Sequence, residues 1–114
     1  MGLERRALGT YGERRAAVWY ERRGYVVLAR NWRCRHGELD LVVRRGGLVA
    51  FCEVKTRSST AFGSPAEAVT ALKRARIRRL AVAWLAESRV GAADLRFDVA
   101  CVSGGRIEVL EGAF

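Results

Sequence analysis

The segment Gly37–Thr56, GELDLVVRRGGLVAFCEVKT, restricts the fold of this chain more than any other. Two runs that alternate apolar with other side chains, rich in β-branched residues, flank a turn-forming RRGG, and that pattern reads as a β-hairpin. Alternation also sorts the charges. Glu38 and Asp40 fall on one face of the first strand, while Phe51, Glu53 and Lys55 fall on one face of the second. If the turn pairs Val43 with Leu48, Asp40 stands opposite Phe51, Glu38 stands opposite Glu53, and all five residues share one face. Asp40 and Glu53 are then diagonal neighbours with backbone positions roughly 7–8 Å apart, a gap two carboxylates can close around one cation.

Carboxylates crowded on a half-buried face repel one another and raise each other's pKa unless a cation neutralises them. Oxygen-only donors favour Mg2+ or Mn2+, ions that keep waters and bridge to phosphate groups. Lys55, two residues beyond Glu53 on the same face, is placed to orient an attacking water and to stabilise negative charge on a phosphorane-like transition state. The competing reading is a cross-strand ion pair between Glu53 and Lys55 on a solvated sheet face. Phe51 on that face, together with inward-pointing charges from two helices, favours a polar pocket instead.

The first of those helices is predicted in TYGERRAAVWYERRGY, where Thr10 precedes Glu13 at capping-box spacing and Gly24 provides a stop. Glu13, Ala16, Ala17 and Tyr20 share one helical face, so Glu13 points inward, either as a capping carboxylate or as part of a site. YVVLARNW then predicts a strand. In SPAE, Ser64 as N-cap, Pro65 at the first helical position and Glu67 predict the start of a helix reaching about Ser88, with a second cap available at Thr70. Val69, Lys73, Ile77, Leu80, Ala81 and Trp84 lie on one stripe of it, which puts a single lysine on the apolar face. DLRFDVACVS, a GG turn and RIEVL predict two final strands. Helix, three strands, helix, two strands implies an α/β architecture with a mixed sheet flanked by helices. A chain of 114 residues, half of them apolar, suits one domain over residues 1–114.

Lysine and arginine number 21 against 12 acids, a net charge of +9 spread through the whole chain. Nucleic acid is the leading partner for such a basic surface, and a solvated arginine-rich face is the plainer alternative. Cys34, Cys52 and Cys101 are too widely spaced for a disulfide framework or a paired-cysteine zinc site, and Cys34 with His36 lacks a second ligand pair. Reduced thiols in a cytoplasmic protein are expected. No apolar run approaches the roughly 18 residues of a membrane span, and the charged MGLERRALGTYGERRAA is unlike a signal peptide, so a membrane partner is not expected.

An Asp in ELDLV followed after a hairpin by EVK resembles the PD-(D/E)xK nuclease motif, whose fold runs helix, three strands, helix and strand. GERRAAVWYERRGYVVLARNWRCRHGELDLVV, FCEVKTRSSTAFGSPAEAV and LRFDVACV resemble the YraN-like family of small bacterial proteins, itself similar to archaeal-type Holliday junction resolvases. This resemblance spans about Gly12 to Val102. It implies a restriction-endonuclease-like core in which Asp40 and Glu53, with the carbonyl of Val54, bind the metal and Lys55 is the catalytic lysine. Glu13 matches the helix carboxylate that such resolvases place beside the metal. Glu38 shares the site face and either supports the site or serves structure, and Lys73 is expected to meet substrate phosphate or a carboxylate. Leu39 stands where the motif has proline.

The resulting reading is a Mg2+- or Mn2+-dependent endodeoxyribonuclease acting on branched or otherwise structured DNA. Arg30, Trp32, Arg33 and Arg35 line one edge of its cleft, the arginines on phosphates and Trp32 either stacking on an unpaired base or serving the core. Arg57 follows on the Lys55 face if the strand continues that far. The resolvase resemblance also implies a homodimer. Two other classes stand beside this reading: a non-catalytic nucleic-acid-binding protein that retains a nuclease fold, and a basic protein–protein adaptor with no salt-dependent affinity for nucleic acid.

Overall fold

The computed structural model describes residues 2–57 and 69–114, with side chains from residue 10 onward. Its elements run α1 (Gly2–Glu21), β1 (Val26–Cys34), β2 (Gly37–Arg45), β3 (Leu48–Arg57), α2 (Ala71–Ser88), β4 (Asp94–Ser103) and β5 (Arg106–Leu110). The five strands form one mixed sheet in the order β1-β2-β3-β4-β5. Only β3 and β4 run parallel. Parallel neighbours need a long crossover, and α2 lies on that connection.

The hairpin forms in a different register from the one expected. Val43 pairs with Ala50 and Arg45 with Leu48, so both arginines remain in β2 and the turn shrinks to Gly46–Gly47. Gly46 adopts a φ of 59°, a conformation glycine takes at little cost, and two-residue hairpin turns fit the twist of their strands. The shift is two residues, an even number, so by itself it turns no side chain to the other face. Asp40, however, moves from opposite Phe51 to one step beyond the last ladder pair, Leu41 with Cys52, which sets it across from Glu53.

Each face of the sheet has its own core. On one side Ala16, Ala17 and Tyr20 of α1, none of them exposed, pack with Tyr25, Leu41, Val43, Ala50, Cys52 and Ala100. On the other, Ile77, Leu80, Ala81 and Trp84 of α2 pack with Val42, Val49, Phe51, Val69 and Val99. Burial of each of the larger side chains contributes about 1.5–3 kcal/mol. Both helical stripes read from the sequence therefore face the sheet.

The start of α1 differs from expectation. The helix begins at Gly2, well before Thr10, because LERRAL is composed of strong helix formers and Thr10 is passed through rather than used as a cap. The helix start expected at Ser64, Pro65 and Glu67 lies outside the described residues. Thr70 does cap α2, its side-chain oxygen accepting from the Lys73 N–H at 3.3 Å. Among the described residues no helix is long and apolar enough to cross a membrane.

Asp98 of β4, beside Cys52 in the ladder, is the only fully buried charge among the described residues. It accepts from the Tyr20 hydroxyl at 2.6 Å, from both arms of Arg96 at 2.8 Å and from the Gly112 N–H at 2.9 Å. Arg96 also donates to the Tyr25 hydroxyl and pairs with Glu111, each at 2.9 Å. This satisfied network ties α1, β4 and the segment after β5 together.

Candidate active site

Beyond Leu41 and Cys52 the two hairpin strands part: β2 stays paired with β1 as far as Gly37, and β3 stays paired with β4 as far as Arg57. The fork this leaves in the middle of the sheet lies between the two helices. Asp40 stands in it, and its Oδ2 accepts from the Val54 N–H at 2.8 Å, so the carboxylate takes the place of a ladder acceptor. Glu53 adjoins Asp40 and acts on its carboxyl, and Lys55 Nζ lies 3.8 Å from Glu53 Oε2.

Glu13 enters from α1. The preceding Gly12 presses against β3 so closely that a β-carbon there would overlap the Thr56 hydroxyl, and this contact brings the next residue to the strand ends. Carboxylate oxygens of Glu13, Glu38 and Asp40 all lie within 4.8 Å of one another. Glu38 thus joins the carboxylate cluster directly, and it also accepts from Arg33 Nε.

Burial is the main reason the Asp40 carboxyl is pushed up to about 9, with the hydrogen bond and charge of Glu53 next; the Val54 N–H works in the opposite direction, and Glu13 adds repulsion. Burial also raises Glu13, against the hydrogen bond from Asn31, while Glu38 raises it and Arg30 lowers it. The ammonium of Lys55 beside Lys73 holds Lys73 below the usual lysine range. Asp40 and Glu13 are thus displaced upward and Lys73 downward, each toward its neutral form.

The fork opens into a solvent-accessible cleft of about 380 Å³ whose walls include Glu38, Asp40, Glu53, Lys55, Lys73 and Arg76. Lys73 and Arg76, one helical turn apart, add two cations from α2 to Lys55. The other residues expected at the cleft are placed less directly. Arg30 is exposed and acts on Glu13 by charge, Arg35 Nε lies 3.3 Å from His36 Nε2, and Arg57 is exposed at the end of β3. Trp32 is half-buried against the α2 core, and its Nε1 donates to Glu87 Oε2 at 3.0 Å.

Two neighbours of the site were not singled out from the sequence. Arg76 carried a usable signal, its spacing from Lys73. Asn31 carried a fainter one: an asparagine inside a strand pattern tolerates the left-handed region that β-formers avoid, and its φ is 51°.

The donor set suits a hard divalent cation. Three carboxylates converge with a fourth adjoining them, all oxygen donors, and a partly buried acidic cluster of this kind is stabilised by a positive ion at its centre. Cys34 and His36 form a turn contact instead, the His36 N–H donating to Cys34 Sγ at 3.4 Å.

Close relatives share nearly the whole chain. A UPF0102 protein of Beutenbergia cavernae is 55% identical over 111 residues, covering 93% of this chain and 94% of its own. One from Frankia alni is 55% identical over 113 residues, with 95% and 94% covered, and one from Nocardia farcinica is 54% identical over 99 residues, with 87% and 78% covered. Residues 12–102 match the model of the uncharacterised protein family UPF0102, and the chain belongs to that family.

Proposed function

We propose that this protein is a metal-dependent endonuclease that hydrolyses phosphodiester bonds in DNA, with branched or junction DNA as the preferred form. The single observation that carries this reading is the fork. It gathers Glu13, Glu38 and Asp40 within 4.8 Å of one another, beside a Glu53–Lys55 pair and under two further cations of α2. Carboxylates for a cation and lysines for a phosphate thus share one cleft. The helix, three strands, helix, two strands order, with β3 and β4 parallel, supports a restriction-endonuclease-like core, as does the resemblance of ELDLV and EVK to the PD-(D/E)xK motif.

Asp40 and Glu53 would hold Mg2+ or Mn2+, with Glu13 and Glu38 completing the acidic wall and the Val54 carbonyl available on the same strand. When bound, the ion supplies positive charge that draws electron density from the scissile phosphate. Lys55 presents its ammonium at the point where negative charge develops, and Glu53 fixes its direction. Lys73 and Arg76 bind phosphate oxygens of the same strand, as a point charge and a planar fork respectively. Trp32, engaged with Glu87, leaves recognition at this cleft to the backbone phosphates rather than to base stacking.

The same Glu53–Lys55 ion pair favours a second reading, a nucleic-acid-binding protein without turnover in which the carboxylates only order Lys55. A panel of duplex, single-stranded, flap and four-way-junction DNAs, plus RNA, incubated with Mg2+ or Mn2+ separates the two. A nuclease cuts at least one DNA form, and it loses cutting but keeps most of its affinity in Asp40→Ala and Glu53→Ala. Salt-sensitive binding with every substrate left intact would establish the second reading.

A further inference from the structure

Asn31 sits in the middle of β1 with a φ of 51°, where an L-residue pays a steric cost. Around it the ladder pairs Arg30 with Leu41 and Trp32 with Leu39, but the positions between, Asn31 and Asp40, are left out of the pairing. Side-chain alternation changes phase at the same point. Ala29 and Trp32 both pack on the α2-side core, as do Val42 and Leu39, although strict alternation would send the members of each pair to opposite faces. The interruption in β1 therefore coincides with the residue that must leave the ladder to stand in the fork.

The Asn31 side chain lies beside Glu13, and it works against the burial and the Glu38 charge that disfavour an ionised Glu13. Arg30 faces the same carboxylate from the neighbouring position, and Asp40 and Glu38 face it across the cluster. Glycine would occupy this φ without strain. A carboxamide at such a position, beside a site carboxylate, marks strain kept for a purpose.

We infer that Asn31 is a positioning residue: its backbone break releases Asp40 from the β1–β2 ladder, and its amide holds Glu13 toward Asp40 and Glu38 so that the three can close on one divalent cation. The inference rests on the proposed metal site. The backbone role and the amide role separate cleanly, because Asn31→Gly keeps access to positive φ and removes only the amide, whereas Asn31→Ala removes both.

Mn2+ binding, followed by calorimetry and by the electron paramagnetic resonance spectrum of the bound ion, tests it on the full chain. The set comprises wild type, Asn31→Gly, Asn31→Ala, Glu13→Gln and the double variant Asn31→Gly/Glu13→Gln. Partners that orient a metal ligand typically change affinity by about 10–100-fold, and Asn31→Gly is expected to weaken Mn2+ binding within that range with an altered spectrum and an unchanged far-ultraviolet circular dichroism spectrum. Asn31→Ala weakens it further. The double variant binds no more weakly than Glu13→Gln alone, since Asn31 acts through Glu13. Wild-type affinity in Asn31→Gly, or losses that simply add in the double variant, would overturn the inference while leaving the metal site standing. A wild type that binds no Mn2+ overturns the metal-site reading and this inference with it.

Discussion

Asp40→Asn is the perturbation whose consequence follows most directly from the electrostatics of the fork. In the folded, metal-free protein the Asp40 carboxyl is pushed from 3.8 to about 9, chiefly by burial and by Glu53. Between those limits the folded protein keeps a proton that the unfolded chain releases. The sign is therefore opposite to that of an ion-paired carboxylate: stability is greatest at low pH and declines as pH rises toward the folded pKa. One such group gives a slope of about 1.4 kcal/mol per pH unit, or about 3 kcal/mol between about pH 5.5 and about pH 7.5. For a chain of this size that corresponds to a fall in Tm on the order of 10 °C. A carboxamide has no such proton to release, so Asp40→Asn is expected to lose most of the slope and to be the more stable protein at neutral pH in a chelator. If Mg2+ binds the cluster as proposed, it should favour the ionised form and flatten the wild-type slope in the same way. Thermal denaturation of both proteins across this range, with chelator or with Mg2+, reads all three effects. Parallel profiles for wild type and Asp40→Asn in chelator would refute the claim that an uncompensated buried carboxylate sits in the fork.

Further expectations concern the scaffold and the substrate contacts. A helical glycine replaced by alanine normally gains about 1 kcal/mol, but Gly12→Ala should cost about 1–3 kcal/mol because its β-carbon meets the Thr56 hydroxyl; chemical denaturation gives the sign, and Thr56→Ala in the same chain should recover part of the loss. Asp98→Ala strands Arg96 and the Tyr20 hydroxyl without their shared acceptor and should destabilise the fold by about 3–5 kcal/mol, measured by urea unfolding. Lys73→Ala and Arg76→Ala should each reduce the dependence of DNA affinity on salt by about 0.9 in the log–log slope, and an unchanged slope would remove that residue from the phosphate contacts.

The site was legible because alternation is insensitive to an even shift of register. Val43 pairs with Ala50 rather than Leu48, yet Asp40, Glu53 and Lys55 still meet at one cleft, since an even shift turns no side chain over, and Glu38 lines the same cleft although the alternation of β2 changes phase at Asp40. The helical stripes were equally readable: Ala16, Ala17 and Tyr20 on α1, and Ile77, Leu80, Ala81 and Trp84 on α2, are buried as their spacing requires. What escaped detection was not periodic. Thr10 and Glu13 match a capping box in composition, but a local motif cannot show that helix formers upstream already carry the helix through it. Asn31 acts by interrupting a period, and an interruption has no sequence signature beyond a residue type that tolerates it. Asp98 gave the same signal as Asp40, a lone acid among apolar strand residues, yet its partners Arg96, Tyr20 and Gly112 make it a structural lock. The difference lies in what surrounds each carboxylate, which only the tertiary arrangement supplies.

Whether the fork is a hydrolytic site is decided by single-turnover cleavage of an end-labelled four-way junction. Protein in excess over DNA, with binding measured in the same samples, separates chemistry from affinity. Cut products should accumulate with Mg2+ in the wild type and vanish with chelator or in Lys55→Ala, while the bound fraction stays nearly constant. Fully bound but intact junction in the wild type, or equal cutting by Lys55→Ala, would contradict a hydrolytic fork.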